Sequence, residues 1–290
     1  MDHYVFVYGT LRKHEGNHYL MKDAKFVAEQ AWTNGLLYDT GLGYPAVKES
    51  KMGKVYGELY LVTDAQLQKL DVLEGYNPEG NNNLYNRKLQ TIFHDTGSTE
   101  AFLYTIAKQN ESMLKKHLST GDWKLKGFHD KKQTLLYFAF GSCMDDKRFQ
   151  VDGVDHYFQN LAGVGILKNY TLRFTRKSSF DGLGRADIVE DGGKVEGKVY
   201  ELPIVALKEY LYAREGAPKA YRPTFVTIQI DGKKVEALTF VVTNKKKETP
   251  PPDWYEEEIL RGAHSFLSDN YIANIQRHIN SLKKSSNGGM

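Results

Sequence analysis

Two glycine turns and two glutamates are the residues of this chain whose types and spacing could do chemistry. Gly9-Thr10-Leu11 follows a short aromatic and β-branched run that ends at Tyr8. A buried strand ending at a glycine leaves backbone N–H groups that can converge on a carboxylate or an oxyanion. Glycine also lets the backbone approach such a ligand closely. A simple strand-to-turn glycine explains the same residues without any function. Glu74 closes a predicted helix just before Gly75. There the helix dipole disfavours a carboxylate by about 0.3–1 kcal/mol. It also opposes ionisation, which moves the carboxyl toward the pKa of a useful general base. The plain alternative is a solvent-exposed glutamate whose cost is negligible. Gly141-Ser142-Cys143 and Glu215-Gly216 repeat both features later in the chain.

Three other patterns carry less. His14-Glu-Gly-Asn-His18 matches the letters of a zinc-protease helix, but Gly16 and Asn17 interrupt it and no apolar stripe surrounds it, so no metal site is expected. Gly41-Leu-Gly-Tyr-Pro-Ala46 resembles a dinucleotide loop, yet Pro45 stands where the helix should open, and a loop is expected instead. Cys143 could be a lowered-pKa thiolate with His156 or His264 nearby in space. A packed thiol is the preferred reading.

The elements that must position these groups occur twice. Tyr4-Val-Phe-Val-Tyr-Gly-Thr-Leu11 parallels Leu136-Tyr-Phe-Ala-Phe-Gly-Ser-Cys143. Gly57-Glu-Leu-Tyr60 parallels Gly197-Lys-Val-Tyr200, and Leu70-Asp-Val-Leu-Glu-Gly75 parallels Leu211-Tyr-Ala-Arg-Glu-Gly216. Tyr85 with Arg87 parallels Tyr221 with Arg222. The order is conserved between the halves, which marks two copies of one domain rather than a short-period solenoid. The join is expected in Gly121–Gln133, a second loose stretch in Asn244–Asp253, and a solvated tail over 283–290. The domains are therefore 1–128 and 134–282. In the first copy, strands are expected at Val5–Tyr8, Asn34–Asp39, Lys54–Leu61, Lys88–Phe93 and Glu100–Ile106. Tyr19–Ala31 reads as weakly helical. Thr63 opens a firmer helix with Gln66 in capping-box register, Leu67, Leu70 and Leu73 on its apolar face, and Gly75 as its stop. Each copy is thus α+β.

Composition narrows the function classes. The chain has 290 residues, 41% hydrophobic and 26% charged, with a net charge of +3. Residues 1–130 hold 15 Lys and Arg against 16 Asp and Glu, and the remainder 24 against 20. Neither half has a nucleic-acid footprint. No apolar run reaches the roughly 18 residues of a membrane helix, and the N-terminus lacks a signal-peptide pattern. A single cysteine fits a cytoplasmic location.

In their order, these motifs resemble the γ-glutamylcyclotransferase superfamily. The series Val7-Tyr-Gly-Thr-Leu-Arg12, Gly43-Tyr-Pro-Ala46, Gly57-Glu-Leu-Tyr60, Leu70-Asp-x-Leu-Glu-Gly-Tyr76 and Tyr85-x-Arg87 resembles the γ-glutamylamine cyclotransferase and avirulence-induced branch. Phe138-Ala-Phe-Gly-Ser142, Gly184-x-Ala186, Gly197-Lys-Val-Tyr200, Arg214-Glu-Gly216 and Tyr255-x-x-x-Ile259-x-x-Gly-Ala263 look closer to the glutathione-cycle enzymes. The resemblance implies two tandem mixed barrels flanked by helices. It implies that Tyr8, Gly9, Thr10 and Leu11 bind substrate, with Tyr85 and Arg87, and that Glu74 is the acid/base. In the second copy Phe140, Gly141, Ser142 and Cys143 match the loop and Glu215 the glutamate. Phe140 lacks the usual hydroxyl and Cys143 the usual amide, so the first copy is the expected active site. On spacing alone Arg12 and Arg87 read as surface charges, with carboxylate binding as the other possibility. The implied reaction closes a γ-glutamyl compound to 5-oxoproline without cofactor, metal, nucleic acid or membrane. A non-catalytic pocket for a small carboxylate is the alternative.

Overall fold

The computed structural model describes residues 1–128 and 133–287. The chain divides into two compact units, Met1–Phe128 and His129–Met290. In the first, β1 (Asp2–Val7), β2 (Lys25–Asn34), β5 (Lys54–Thr63), β6 (Tyr85–His94) and β7 (Gly97–Ile106) close a barrel in the order β1-β5-β2-β6-β7. The β1–β7 pair is parallel, with Val5 opposite Phe102, and the other pairings are antiparallel. Strands β3 (Leu36–Asp39), β4 (Pro45–Lys48) and β8 (Lys116–His117) form a small side sheet. Phe6, Val55, Leu59, Ile92 and Leu103 fill the core at essentially zero exposure. Each such side chain contributes about 1.5–3 kcal/mol of burial.

The second unit repeats the plan. Strands β9 (Thr134–Ala139), β10 (Leu161–Lys168), β13 (Lys194–Pro203), β14 (Tyr221–Ile230) and β15 (Lys233–Val242) close in the order β10-β13-β9-β15-β14, again with one parallel pair, β9–β15. Strands β11 (Thr171–Lys177) and β12 (Gly184–Val189) form a separate ribbon. The α+β tandem of mixed barrels is therefore observed. The repeat of Gly57 and Gly197 has a steric cause. A Cβ at either position would stand 2.3 Å from the carbonyl oxygen of Val7 or Ala139, where the first strand of each barrel ends.

Helix α1 (Asp64–Leu73) forms as expected, with Thr63 and Gln66 making both bonds of a capping box; of its expected apolar face Leu67 and Leu70 are buried, whereas Leu73, at the last turn, is exposed. Three expectations need correction. Residues 19–31 are not one helix: after a short 3₁₀ turn, His18–Met21, they enter β2. Ala28, Glu29, Gln30 and Ala31 are buried in succession, and two irregularities break the β2–β5 register, so the strand shows no alternation to read. Residues 121–128 are not a linker. Tyr56 N–H donates to the Gly121 carbonyl (2.8 Å) and Trp123 is buried; the rest of the expected join, 129–132, lies outside the described residues. Nor is Asn244–Asp253 loose. Lys246 N–H donates to the Thr175 carbonyl, and Glu248 accepts from Phe174 N–H (2.8 Å).

Three helices flank the second barrel: α2 (Asp146–Val151), α4 (Asp253–Ala263) and α5 (Asp269–Asn287). A π-helical turn, Leu207–Leu211, runs into the short α3 (Tyr212–Arg214). Helix α5 continues into the expected tail, where Lys283 pairs with Asp253 (2.7 Å) and Glu256 (2.6 Å). Residues 288–290 lie outside the described part.

Candidate active site

Both glutamates occupy the same special backbone position. Glu74 caps α1: Gly75 N–H donates to the Val72 carbonyl and Tyr76 N–H to the Asp71 carbonyl. In the second unit, Gly216 N–H donates to Ala213 and Ala217 N–H to Tyr212. These paired bonds define a Schellman stop, and the glycine after each glutamate has φ near +60°. The stop turns the chain sharply and aims the preceding carboxylate inward.

In the first unit that carboxylate faces the turn after β1. Tyr8, Gly9, Thr10, Leu11, Glu74 and Tyr85 line one cavity of about 230 Å³. Arg12 N–H donates to the Gly9 carbonyl, and Asn17 donates to the Thr10 carbonyl and hydroxyl. Among the described residues no acceptor takes the Thr10 and Leu11 amides. Gly9 cannot be replaced in this turn without movement, since a Cβ would lie 2.6 Å from the Pro45 ring. The Tyr8 hydroxyl donates to the Tyr104 carbonyl (2.7 Å) and that of Tyr85 to the Pro45 carbonyl (2.9 Å). Both rings thus form fixed walls.

The Glu74 residue is partly exposed, while its carboxyl is enclosed by protein atoms. Burial pushes its pKa up to about 7. Desolvation, rather than the helix dipole expected from sequence, is the cause. The reading of Glu74 as an ordinary surface glutamate does not fit this environment. Its charge reaches the hydroxyls of Tyr8, Tyr85 and Tyr104.

The two arginines behave differently from expectation. Arg12 is 2% exposed; its Nη1 donates to Asp122 Oδ1 (2.6 Å) and its Nε to Glu58 Oε1 (3.4 Å). Burial raises the Glu58 pKa, but the Arg12 guanidinium together with Lys124 and the Lys13 amide and ammonium outweighs it and holds it low. Arg12 is neither a surface charge nor part of the cavity wall. Arg87 shares a strand face with Tyr85 but lies farther along it, paired to Asp71 (2.6 Å) and stacked over Tyr76 and Phe102. It does not line the cavity. Tyr44, Pro45, Asn17 and Tyr104 do. Tyr44-Pro45 lies in a motif recognised from sequence, Asn17 in the discarded histidine pattern, and Tyr104 carried no signal.

The second unit builds a cavity of about 300 Å³ from the same parts, Phe140, Gly141, Ser142, Cys143 and Glu215, with Tyr221. Here the glutamate is engaged. Cys143 Sγ donates to Glu215 Oε1 (3.3 Å), and Arg214 donates to Cys143 Sγ (3.4 Å) and Ser142 Oγ (2.9 Å). Burial raises the Glu215 pKa, against the opposing pull of Arg214. Burial and then Glu215 push the Cys143 thiol up to about 11, so it is no thiolate. His156 packs on Tyr157 and His264 is exposed, and neither lines the cavity. Sequence reasoning missed Arg176, Arg185, Trp254 and Glu258 in this wall. They come from β11, β12 and α4, outside the repeated motifs.

His18 Nδ1 lies 3.0 Å from the Leu11 carbonyl. Among the described residues no group of three or more His, Cys, Asp or Glu side chains could hold a metal ion. No described helix is long and apolar enough to cross a membrane.

Comparison with known proteins matches this geometry to a family. Residues 5–125 match the family described as "Gamma-glutamyl cyclotransferase, AIG2-like", and residues 194–275 the AIG2-like family. The Bacillus subtilis protein YkqA, named "Putative gamma-glutamylcyclotransferase", is 43% identical over 98% of this chain and 100% of its own length. Its crystal structure superposes with a TM-score of 0.87 at 40% identity, covering 97% of this chain and 99% of that one. The chain is also similar to gamma-L-glutamyl-butirosin B gamma-glutamyl cyclotransferase of Niallia circulans, at 37% identity over 41% of this chain and 74% of that protein. The chain belongs to the gamma-glutamylcyclotransferase family, as a tandem of two such domains.

Proposed function

We propose that the first domain cyclises a γ-glutamyl amine or γ-glutamyl peptide to 5-oxoproline and releases the amine or amino acid. The observation that carries this reading is a carboxyl pushed up to about 7, Glu74, in the same small cavity as the Gly9–Leu11 turn. That cavity is smaller than the roughly 300–1,000 Å³ of drug-sized sites, which suits a glutamyl group with its leaving portion toward solvent. The substrate brings its own nucleophile. Glu74 takes a proton from the α-ammonium, and the freed amine attacks the γ-carbonyl to close a five-membered ring. The turn amides hold the α-carboxylate and the developing oxyanion. Glu74 then gives the same proton to the departing nitrogen as the C–N bond breaks, and the second proton shed by the ring nitrogen goes to the released amine, which departs as its ammonium. Holding the chain folded supplies the proximity term, which can reach effective molarities on the order of 10⁵ M. The route needs no cofactor. Incubating the protein with a panel of γ-glutamyl compounds and assaying 5-oxoproline tests it. Product from the wild-type chain and none from Glu74→Gln supports it, whereas equal product from both overturns it.

For the second domain, the hydrogen bond from Cys143 to Glu215 favours binding of a small γ-glutamyl carboxylate over turnover. Ligand-induced stabilisation of that domain without product would support this division. Product from the second domain would contradict it.

A further inference from the structure

The second domain carries a run of cations that begins in its cavity and continues along its surface. Arg176, Ser178 and Ala220 line both the cavity and an adjoining open groove of about 900 Å³. Arg176 donates to the Lys177 carbonyl (2.9 Å), and no carboxylate pairs with it among the described residues. Its charge reaches the hydroxyl of Tyr221. Lys177, Lys219, Lys246 and Lys247 extend the groove. All four are exposed, and none has a carboxylate partner among the described residues. The groove's one carboxylate among the described residues, Glu248, is taken up by Phe174 N–H, His278 (2.8 Å) and Arg173 (3.4 Å).

These cations are held in place. Lys246 N–H donates to the Thr175 carbonyl and Thr249 N–H to that of Phe174, lacing the segment along β11. Thr243 Oγ1 donates to the Lys219 carbonyl (2.6 Å). The cavity of the first domain, by contrast, is lined by no lysine or arginine among the described residues.

We propose that Arg176 and this lysine groove form a subsite for the anionic tail of a γ-glutamyl compound whose head lies at the Gly141 turn and whose leaving portion carries two or more negative charges. The proposal rests on reading the second cavity as a γ-glutamyl pocket. One exposed lysine contributes little. A guanidinium can grip a carboxylate or phosphate through two parallel bonds, and four lysines around it act together. Because the groove is open and the Debye length is about 8 Å at physiological salt, the selectivity weakens as salt rises.

Titration calorimetry on the full chain tests the subsite with three compounds: γ-glutamyl-aspartyl-aspartate, γ-glutamyl phosphoethanolamine and γ-glutamyl ethylamide. The first two separate a carboxylate tail from a phosphate tail. The better-bound anionic compound is expected to exceed the ethylamide by at least about tenfold, the scale of charge-assisted hydrogen bonds. Arg176→Gln, and separately the exposed pair Lys246→Gln with Lys247→Gln, should each remove most of that advantage. Equal affinities for all three compounds, or an unchanged preference in both variants, overturns the subsite. So does tighter binding of a short single-stranded RNA that displaces both anionic compounds. Charge-selective binding without 5-oxoproline from any compound would contradict the cyclisation reading and leave the subsite standing. Product without charge selectivity would do the reverse.

Discussion

Glu74 has one property that separates a base from a structural carboxylate: no cation among the described residues neutralises it, and burial moves its pKa to about 7. A group of this kind is half ionised near neutrality, so it can both take and return a proton. Glu74→Gln should lower turnover by about 10²–10⁴-fold, and the wild-type kcat/KM should show a rising limb centred near pH 7. The same shift makes a stability prediction with a defined sign. The folded pKa lies above the ordinary glutamate value, so the contribution of Glu74 is fully present below about pH 4.5 and is lost as pH rises through about 7. Relative to wild type, Glu74→Gln should therefore gain on the order of 1–3 kcal/mol between about pH 5 and pH 8, read from thermal melts at both values. Arg12 shows the opposite design. Removing its guanidinium leaves Glu58 and Asp122 buried without their cation. Arg12→Ala should cost about 3–5 kcal/mol, seen in denaturant unfolding. The local chemistry of Glu74 was legible because Glu-Gly recurs at the end of a capped helix. The burial of Arg12 was not, because its partner Asp122 lies 110 residues away in sequence.

At the scale of elements, the Schellman stop is what turns a helix end into a site. Gly75 has φ +60°, and a Cβ there would lie 3.0 Å from Cβ of Leu84. Gly75→Ala should destabilise the first domain by about 1–2 kcal/mol. By displacing Glu74 it should also lower kcat by up to about a hundredfold, measured as 5-oxoproline release. Such stops and capping boxes are visible in sequence because they depend on residues three to five apart. Strand β2 was misread for the complementary reason. Its buried run from Ala28 to Ala31 depends on bulged pairing with β5, which no local pattern encodes. Residues 121–128 looked like a linker because their polarity and glycines are local facts, while the Arg12–Asp122 bond and the Trp123 burial that anchor them are not.

At the scale of the molecule, two closed barrels of one topology carry two differently furnished cavities. The repeat was legible because the glycines, aromatics and glutamates that recur serve the backbone and the turn. The wall of the second cavity was not, because Arg176, Arg185, Trp254 and Glu258 come from elements added around the barrel. The two copies also exchange charge at one brace: Glu58 accepts from Arg12 in the first, and Lys198 donates to Asp146 (2.9 Å) in the second. Since the first barrel closes on its own strands, we expect residues 1–128 expressed alone to fold and to release 5-oxoproline. Ending the chain at 120 removes Asp122 and Trp123 and should abolish cooperative unfolding, tested by thermal denaturation of both lengths. The most direct test of the central claim is 5-oxoproline formation from a γ-glutamyl amine by the full chain and by Glu74→Gln, with circular dichroism confirming that both are folded. We predict product from the former and at least a hundredfold less from the latter, with the limb near pH 7 gone. Turnover unchanged in a folded Glu74→Gln chain would contradict it.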